Sequence, residues 1–349
     1  MSDAASSSSA PLRIGVLGAA RISPPALFTP AADRSTAEVV AIAARSVERA
    51  RAQADEFGIP TVHDSYDALL ADPNVDAVYN PLPPSVHAEW SIKALDAGKH
   101  VLCEKPFASN AAEAAEMVAA AERTGLVLLE AFHWRYHPMA ARIASEVAVL
   151  GPIVSMKAHF DVPILNTEDI RHQYDLAGGA LMDLGCYPVQ WLRFAASSVA
   201  GAAAEPTVTS AAMTEGNPGI DLITTIEMTF DLGAAGSGGD PVPASLHTAM
   251  AEGYEPGASL TVVGETATLE VTNPLHPSSG NQVSVTPTDG GEPSVSTVAG
   301  ESTYHYQLDA FVDAVRNGAP QPTGGQDAVA TMAVIDAAYT AAGFAIRGA

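Results

Sequence analysis

Basic residues are scarce in this chain: 17 lysines and arginines face 40 aspartates and glutamates over 349 residues, a formal charge of −23. That balance argues against nucleic acid or an anionic membrane as partner. It also means that any bound phosphate needs a local basic patch. Cysteine is nearly absent. Cys103 and Cys186 read as small buried thiols of a reducing cytoplasm rather than a disulfide, and Cys-His spacing for a metal is missing, so no metal is expected. No apolar run reaches membrane-spanning length. The longest candidate, Val329–Ile346, contains Asp336 and reads as a buried helix. Met1–Pro11 is Ser/Ala-rich without a basic or apolar leader region and reads as a flexible tail, not a signal peptide. A soluble, cytoplasmic protein is expected, long enough for two domains.

Through Leu12–Ala131, short apolar runs alternate with helical segments. Strands are expected at Leu12–Leu17, Val39–Ala44, Thr61–His63, Ala77–Asn80, His100–Cys103 and Val127–Ala131. Helices are expected at Ser46–Phe57, Tyr66–Leu70, Val86–Ala97 and Ala111–Arg123. This alternation predicts an α/β fold, a Rossmann doubly wound parallel sheet with right-handed crossovers.

The pattern changes near Pro138. A helix over Met139–Leu150 leads to a strand around Val154–Asp161, then to a helix opened by Gly178-Gly179 and running to about Phe194. Short strands follow at Thr207–Met213, Leu222–Phe230, Ser245–Ala251, Ser259–Val263, Ala267–Val271 and Val283–Thr286, with Gly233–Gly239 as a hairpin loop. Helices over Tyr304–Arg316 and Gln326–Phe344 close the chain. This part predicts a C-terminal α+β domain with an open-faced, mostly antiparallel sheet, helix on one face. The expected division is 1–11 tail, 12–137 cofactor-binding domain and 138–349 substrate-binding and oligomerisation domain. The uncovered sheet face calls for a second subunit, an isologous homodimer.

The most informative stretch is Gly98–Pro106. A buried strand, His100–Cys103, ends in Glu104-Lys105-Pro106, at the edge where an open α/β sheet places its ligands. Lys105 is one of four lysines (Lys93, Lys99, Lys105, Lys157). Pro106 keeps it out of the helical region, and the bond between them is open to either isomer.

After the first strand comes Gly18-Ala19-Ala20-Arg21-Ile22-Ser23. Against G-x-G-x-x-G/A, Gly18 supplies the tight turn, and Ala20 and Ser23 stand as small residues where the backbone nears a pyrophosphate and a helix packs on the strand. The second strand ends Ala43-Ala44-Arg45-Ser46. No acid is present for a ribose 2′-hydroxyl. Arg45 occupies the region, Ser46 can cap the next helix, and Arg49 falls in its first turn, where a cation opposes the helix dipole. A phosphate between Arg45, Ser46 and that helix would relieve the conflict, so NADP is expected, with NAD the less favoured alternative. A surface arginine pair is the plainer alternative.

Asn80-Pro81-Leu82-Pro83-Pro84-Ser85 follows the fourth strand, with His87 beyond it. The prolines read as a rigid turn, and His87 as either a cofactor contact or a satisfied backbone partner. Asp183 and Tyr187 lie four apart, a spacing that puts both on one helical face. With Lys105 they form a set suited to alcohol oxidation. A base takes the hydroxyl proton as hydride leaves to a nicotinamide, and a cation stabilises the alkoxide. A nearby ammonium lowers a phenol's pKa, which would fit Tyr187 for the base. Glu130–Pro138 crosses between the two parts; its aromatics and histidines either line the cleft or pack the hinge.

Together these residues resemble the glucose–fructose oxidoreductase/inositol dehydrogenase (Gfo/Idh/MocA) family, over essentially the whole chain from Leu12. The marks are Gly98-Lys99-His100-Val101 with Glu104-Lys105-Pro106, Gly18-Ala19-Ala20-Arg21-Ile22, Glu130-Ala131-Phe132 with Trp134-Arg135 and His137-Pro138, and Asp183, Gly185, Tyr187-Pro188. The combination is similar to the branch of NADP-dependent trans-1,2-dihydrodiol dehydrogenases and D-xylose 1-dehydrogenases. The resemblance implies Lys105 and Asp183 at the substrate, Tyr187 as acid/base, and a dimer through the open-faced sheet. It implies cofactor contacts from Gly18, Ala19, Ala20, Arg21, Ile22, Pro81, Leu82, Pro83, His87, Glu104, Lys105, Trp134 and Arg135. His133 stands where relatives often carry an apolar residue, and His172 follows Arg171 where they often carry leucine. These three are assigned to the substrate pocket. The expected activity is hydride transfer between NADP and a secondary alcohol or lactol carbon of a sugar, polyol or cyclic diol. An NAD-assisted glycosidase and a non-catalytic NADP-sensing regulator are the alternatives.

Overall fold

The computed structural model describes residues 10–348, so the tail expected over 1–11 falls almost entirely outside it. In chain order the first part comprises β1 (Leu12–Leu17), α1 (Thr29–Ala32), β2 (Ala37–Ala43), α2 (Val47–Phe57), β3 (Thr61–His63), α3 (Tyr66–Leu70), β4 (Ala77–Asn80), α4 (His87–Asp96), β5 (His100–Cys103), α5 (Ala111–Thr124) and β6 (Leu128–Glu130). The strands form one parallel sheet in the order β3-β2-β1-β4-β5-β6. Chain order reverses between β1 and β4, which opens a crevice at the carboxyl ends of the strands. Local chemistry fixes the helix ends. Ser46, Ser65 and Asn110 accept N–H bonds from Arg49, Ala68 and Glu113, caps that each stabilise by about 1 kcal/mol.

The second part comprises α6 (Pro138–Val147), β7 (Ile153–Asp161), α7 (Cys186–Ala200), β8 (Thr207–Glu215), β9 (Asp221–Phe230), β10 (Val242–Ala249), β11 (Gly257–Gly264), β12 (Ala267–Thr272), β13 (Gln282–Pro287), β14 (Ser294–Ser296), α8 (Thr303–Asn317) and α9 (Gln326–Ala341). Its eight strands run β14-β13-β12-β11-β7-β10-β9-β8, antiparallel except where β10 lies parallel to β7. The glycine-rich loop after β9 joins antiparallel neighbours, as its composition suggests. Alternation along the strands sorts the faces. Met156, Ala158, Ile226, Met228, Leu246, Leu260 and Val262 are buried in one core with α7. The opposite face presents Lys157, His159, Glu227, Ser245, His247, Ser259 and Thr261, half-buried or exposed.

Two departures from the sequence pattern bear on the site. Helix α8 returns to the first part, where Tyr304, Leu308 and Phe311 join the core of Leu12, Ile14 and Ala131. The helix expected from Gly178-Gly179 begins as a π-helical turn, Leu181–Gly185, before α7 runs on to Ala200 rather than Phe194. No helix of the described residues is long and apolar enough to cross a membrane.

Candidate active site

Lys105 leaves the end of β5 on a cis Lys105-Pro106 bond. Its ammonium donates to the Asp183 backbone carbonyl at 2.8 Å and to Asp183 Oδ1 at 2.9 Å. An ammonium has three N–H groups, so one remains for a ligand. Asp183 Oδ2 accepts from Arg171 Nε at 2.6 Å. Burial pushes the Asp183 carboxyl up, but the charges of Lys105 and Arg171 outweigh it and hold the group at about 2. Burial likewise works against the Lys105 charge, and Asp183 prevails, leaving its pKa raised. The triplet is a half-buried cation–anion–cation arrangement whose carboxylate has both oxygens engaged, so Asp183 orients Lys105 and Arg171.

Asp183 and Tyr187 do not share one regular helical face: Asp183 lies in the π turn and Tyr187 in the first turn of α7. The π turn widens the spiral just where the Asp183 carbonyl turns to Lys105. Gly178 is needed there, because a Cβ would meet the Arg171 carbonyl oxygen at 2.5 Å. Tyr187 packs edge-on against Phe132 and Phe160, and the Lys105 ammonium is 5.2 Å from its ring centroid. The expected fall in the phenol pKa is reversed. Burial raises it well above the ordinary tyrosine value, with Tyr304 and Cys186 adding to the rise, and the Lys105 charge is already matched by Asp183.

These groups line a cavity of about 410 Å³ whose walls include Ile22, Glu104, Phe160, Val162, Met182, Leu275, His276 and Tyr304. Glu104 accepts from the Tyr79 hydroxyl at 2.7 Å, and burial raises its pKa. A second cavity of about 390 Å³ is lined by Gly18, Ala19, Ala20, Arg21, Arg45, Ser46, Arg49 and Tyr66 on one side, and by Asn166, Glu168 and Asp169 on the other. Pro81, Leu82 and Ile170 line both.

The second cavity fits a dinucleotide phosphate group. Gly18 has φ +93°, and a Cβ there would meet Leu82 at 3.0 Å. Arg45 and Arg49 have no carboxylate partner among the described residues, while Arg49 donates to the Ala19 carbonyl at 2.7 Å. Ser46 caps α2 and also donates to Glu48 at 2.9 Å, so its hydroxyl must leave Glu48 to reach a ligand. Arg21 is turned outward, its side chain 83% exposed, and pairs with Asp169 at 2.8 Å.

Other expected site residues lie elsewhere. His87 is fully buried, its ring nitrogens 2.9 Å from the Pro106 carbonyl and 2.6 Å from that of Leu82. Burial pulls it down to about 4, so it is a neutral brace between two loops rather than a cavity wall. Trp134 and Arg135 line neither cavity. Trp134 is buried against Trp191 and Phe194, and the half-buried Arg135 guanidinium sits 4.0 Å from the Phe194 ring centroid; the short helical turn after β6 aims neither side chain at a cavity. His172 is buried and faces the Ile164 carbonyl at 2.6 Å. His133 lies one layer behind Tyr187, its Nε2 3.1 Å from the hydroxyl. Pro83, in the loop wall, and Arg171 remain at the cavities. Asp169, His276 and Tyr304 line the cavities although the sequence pattern did not single them out, because they arrive on a loop, a turn and a returning helix.

Comparison with known proteins places these features in a wider group. Residues 12–132 match an oxidoreductase family with an NAD-binding Rossmann fold, and residues 139–270 match the GFO/IDH/MocA C-terminal domain. The chain is 35% identical to a D-xylose 1-dehydrogenase (NADP(+)) of Haloferax volcanii, over 95% of this chain and 97% of that protein. It is 36% identical to a dTDP-3,4-didehydro-2,6-dideoxy-alpha-D-glucose 3-reductase of Streptomyces violaceoruber, over 90% and 89%. The crystal structure of a 3-ketoreductase from Actinomadura kijaniata in complex with NADP and TDP-benzene superposes with a TM-score of 0.83 at 30% identity, covering 95% and 98% of the two chains.

Proposed function

The chain belongs to the GFO/IDH/MocA oxidoreductase family, and from that premise we propose that it is an NADP-dependent enzyme interconverting a secondary alcohol or lactol and its carbonyl on a sugar, polyol or cyclic diol. The observation that carries the reading is the convergence of Lys105, Asp183 and Tyr187 on one cavity that shares Pro81, Leu82 and Ile170 with the arginine-lined cleft. The names of the Haloferax and Streptomyces relatives, a sugar dehydrogenase and a sugar ketoreductase, support the substrate class. The NADP bound in the Actinomadura reductase supports the cofactor, as do Arg45 and Arg49.

Gly18 to Ile22, the Pro81–Pro83 loop, Arg45 and Arg49 would hold the dinucleotide. When bound, its nicotinamide supplies the two-electron acceptor or donor. Lys105 directs its remaining N–H at the substrate oxygen and stabilises developing negative charge. Asp183, fixed by Arg171, keeps that ammonium charged and aimed. Tyr187 exchanges the hydroxyl proton. The mainly apolar wall of Phe160, Val162, Met182 and Leu275 excludes water around them.

We assign residues 12–137 to cofactor binding and 138–349 to substrate binding, with α8 braced on the former. A second copy of the chain is proposed to cover the open sheet face, and sedimentation at micromolar concentration giving only monomer would refute that. A spectrophotometric screen of NADP reduction over aldoses, inositols and cyclic diols tests the activity. The reading expects turnover that Tyr187→Phe abolishes while NADPH binding persists. No turnover across the panel in either direction overturns it.

A further inference from the structure

We propose that His133 is a positioning residue that receives the Tyr187 proton during substrate oxidation, along a hydrogen-bonded line Tyr187–His133–Thr303. The proposal rests on the reading of Tyr187 as the proton-exchanging group.

The geometry is specific. His133 is 2% exposed, and Thr303 at the start of α8 is 1% exposed. His133 Nε2 lies 3.1 Å from the Tyr187 hydroxyl and Nδ1 lies 2.7 Å from Thr303 Oγ1. The ring is held from both sides, stacked on His276 at 5.1 Å and 18°, and against Tyr304 at 4.2 Å. The titratable groups that influence it are Tyr187 from α7, Tyr304 from α8, His276 from the turn after β12 and Lys105 from the end of β5. Among the described residues no carboxylate bonds to either ring nitrogen.

A neutral imidazole carries one N–H. With Nδ1–H donating to Thr303, the Nε2 lone pair accepts the Tyr187 hydroxyl, and the remaining lone pair of the phenol oxygen is free for the cavity. On oxidation the substrate O–H breaks and its proton bonds to the Tyr187 oxygen. The original Tyr187 proton passes to His133 Nε2, giving an imidazolium. The carbon-bound hydrogen leaves as hydride with its electron pair, for which the nicotinamide of bound NADP would be the acceptor, and the carbon–oxygen bond becomes a carbonyl. Reduction retraces the same path. No free phenolate forms: the Tyr187 phenol, which burial holds protonated, gives up its own proton as it takes the substrate's, and the buried imidazolium is only a transient state of the reaction. Burial first, then His276 and Lys105, push the imidazole well below the ordinary histidine range. Its resting state is therefore the neutral acceptor.

Two-bond proton–nitrogen spectra of the full-length protein with labelled histidine test the hydrogen-bond line without substrate. The expected His133 tautomer has its proton on Nδ1, and Tyr187→Phe moves the Nε2 signal toward that of an unbonded ring nitrogen. A proton on Nε2, or a signal indifferent to Tyr187→Phe, overturns the proposal. With NADP and a substrate from the screen, His133→Phe is expected to lower kcat by roughly 10-fold or more, with KM and NADPH affinity within about twofold. Its optimum moves to higher pH, because Tyr187 must then ionise unaided. An unchanged pH profile overturns the relay. NADPH binding reports folding, and His133→Gln serves if His133→Phe fails to bind. If the wild-type enzyme turns over nothing, the proposed activity fails, and the tautomer still decides this proposal.

Discussion

Arg171 grips Asp183 from the side opposite Lys105, its Nε donating to Oδ2 at 2.6 Å. The same guanidinium donates to Asp169 at 3.0 Å, and Asp169 receives Arg21 from the phosphate loop at 2.8 Å. Charges of alternating sign therefore run from the rim of one cavity to the ammonium at the centre of the other. Arg21 is too exposed for its pair to add much stability. The inner members are shielded, and their value is geometric: they fix where Lys105 points.

Asp183→Asn should expose that dependence. Without the carboxylate charge, burial acts unopposed on Lys105 and lowers its pKa. The alkaline limb of the kcat profile is expected to move to lower pH, measured with substrate from the screen. Stability carries the opposite signature. The folded Asp183 titrates at about 2, below the ordinary unfolded value near ~3.9. Its contribution is therefore complete above that value and fades as pH falls toward 2. Urea midpoints of wild type and Asp183→Asn should converge over that window.

Arg45→Asp is expected to reverse cofactor preference. A carboxylate at the end of β2 repels a 2′-phosphate and accepts from a ribose hydroxyl. The kcat/KM for NADP should fall by about tenfold or more, equivalent to about 1.4 kcal/mol or more, while that for NAD rises. Arg45 is exposed, so thermal stability should not move. Equal NADP and NAD efficiencies in the wild type would remove the basis for this role.

Gly178→Ala should damage the site from behind. The added methyl meets the Arg171 carbonyl carbon and oxygen at 2.7 and 2.5 Å, and a backbone carbonyl cannot swing away as a side chain can. A loss of about 1–3 kcal/mol is expected, with kcat reduced through a displaced Arg171. Denaturant unfolding and single-turnover kinetics measure the two effects.

Arg347→Leu tests a support near the end of the described chain. Arg347 is fully buried, donating to Asp221 at 3.0 Å and to the Gly178 carbonyl at 2.8 Å. Removing it leaves the buried Asp221 carboxylate bonded to Leu181, Thr224 and Tyr339 but without its counter-charge, a loss of about 3–5 kcal/mol. Arg347→Leu with Asp221→Asn should be less destabilised than the single variant, as an equilibrium unfolding cycle would read.

Much of this architecture is legible in the sequence because parallel strands buried on both faces are short apolar runs bounded by turn residues. β1, β4 and β5 begin and end where the apolar runs do, and the half-buried edge strand β3 has its expected bounds. The π turn at Leu181–Gly185 is not legible, since its residues suit an ordinary helix and only the Asp183 carbonyl bond to Lys105 shows why the spiral widens. Nor is β14, a three-residue polar edge strand. Within the site, Lys105 and Tyr187 stand out by chemical type and setting. Asp169 does not, because its role depends on a loop folding back across the crevice. His133 sits in a motif that suggests cavity lining, whereas the turn after β6 sets it one layer deeper. Trp134 and Arg135 show the converse: adjacency to a motif says little about which way a short helical turn aims its side chains.

The wall shared by the two cavities has a consequence for how the two ligands affect each other's affinity. Pro81, Leu82 and Ile170 face both spaces, so a ligand that settles these residues in one space reshapes the other. Occupancies linked through a common wall obey reciprocity: whatever factor the dinucleotide contributes to substrate affinity, the substrate returns to the dinucleotide. Dissociation constants of each ligand, measured with and without the other bound, would express that linkage as one and the same factor.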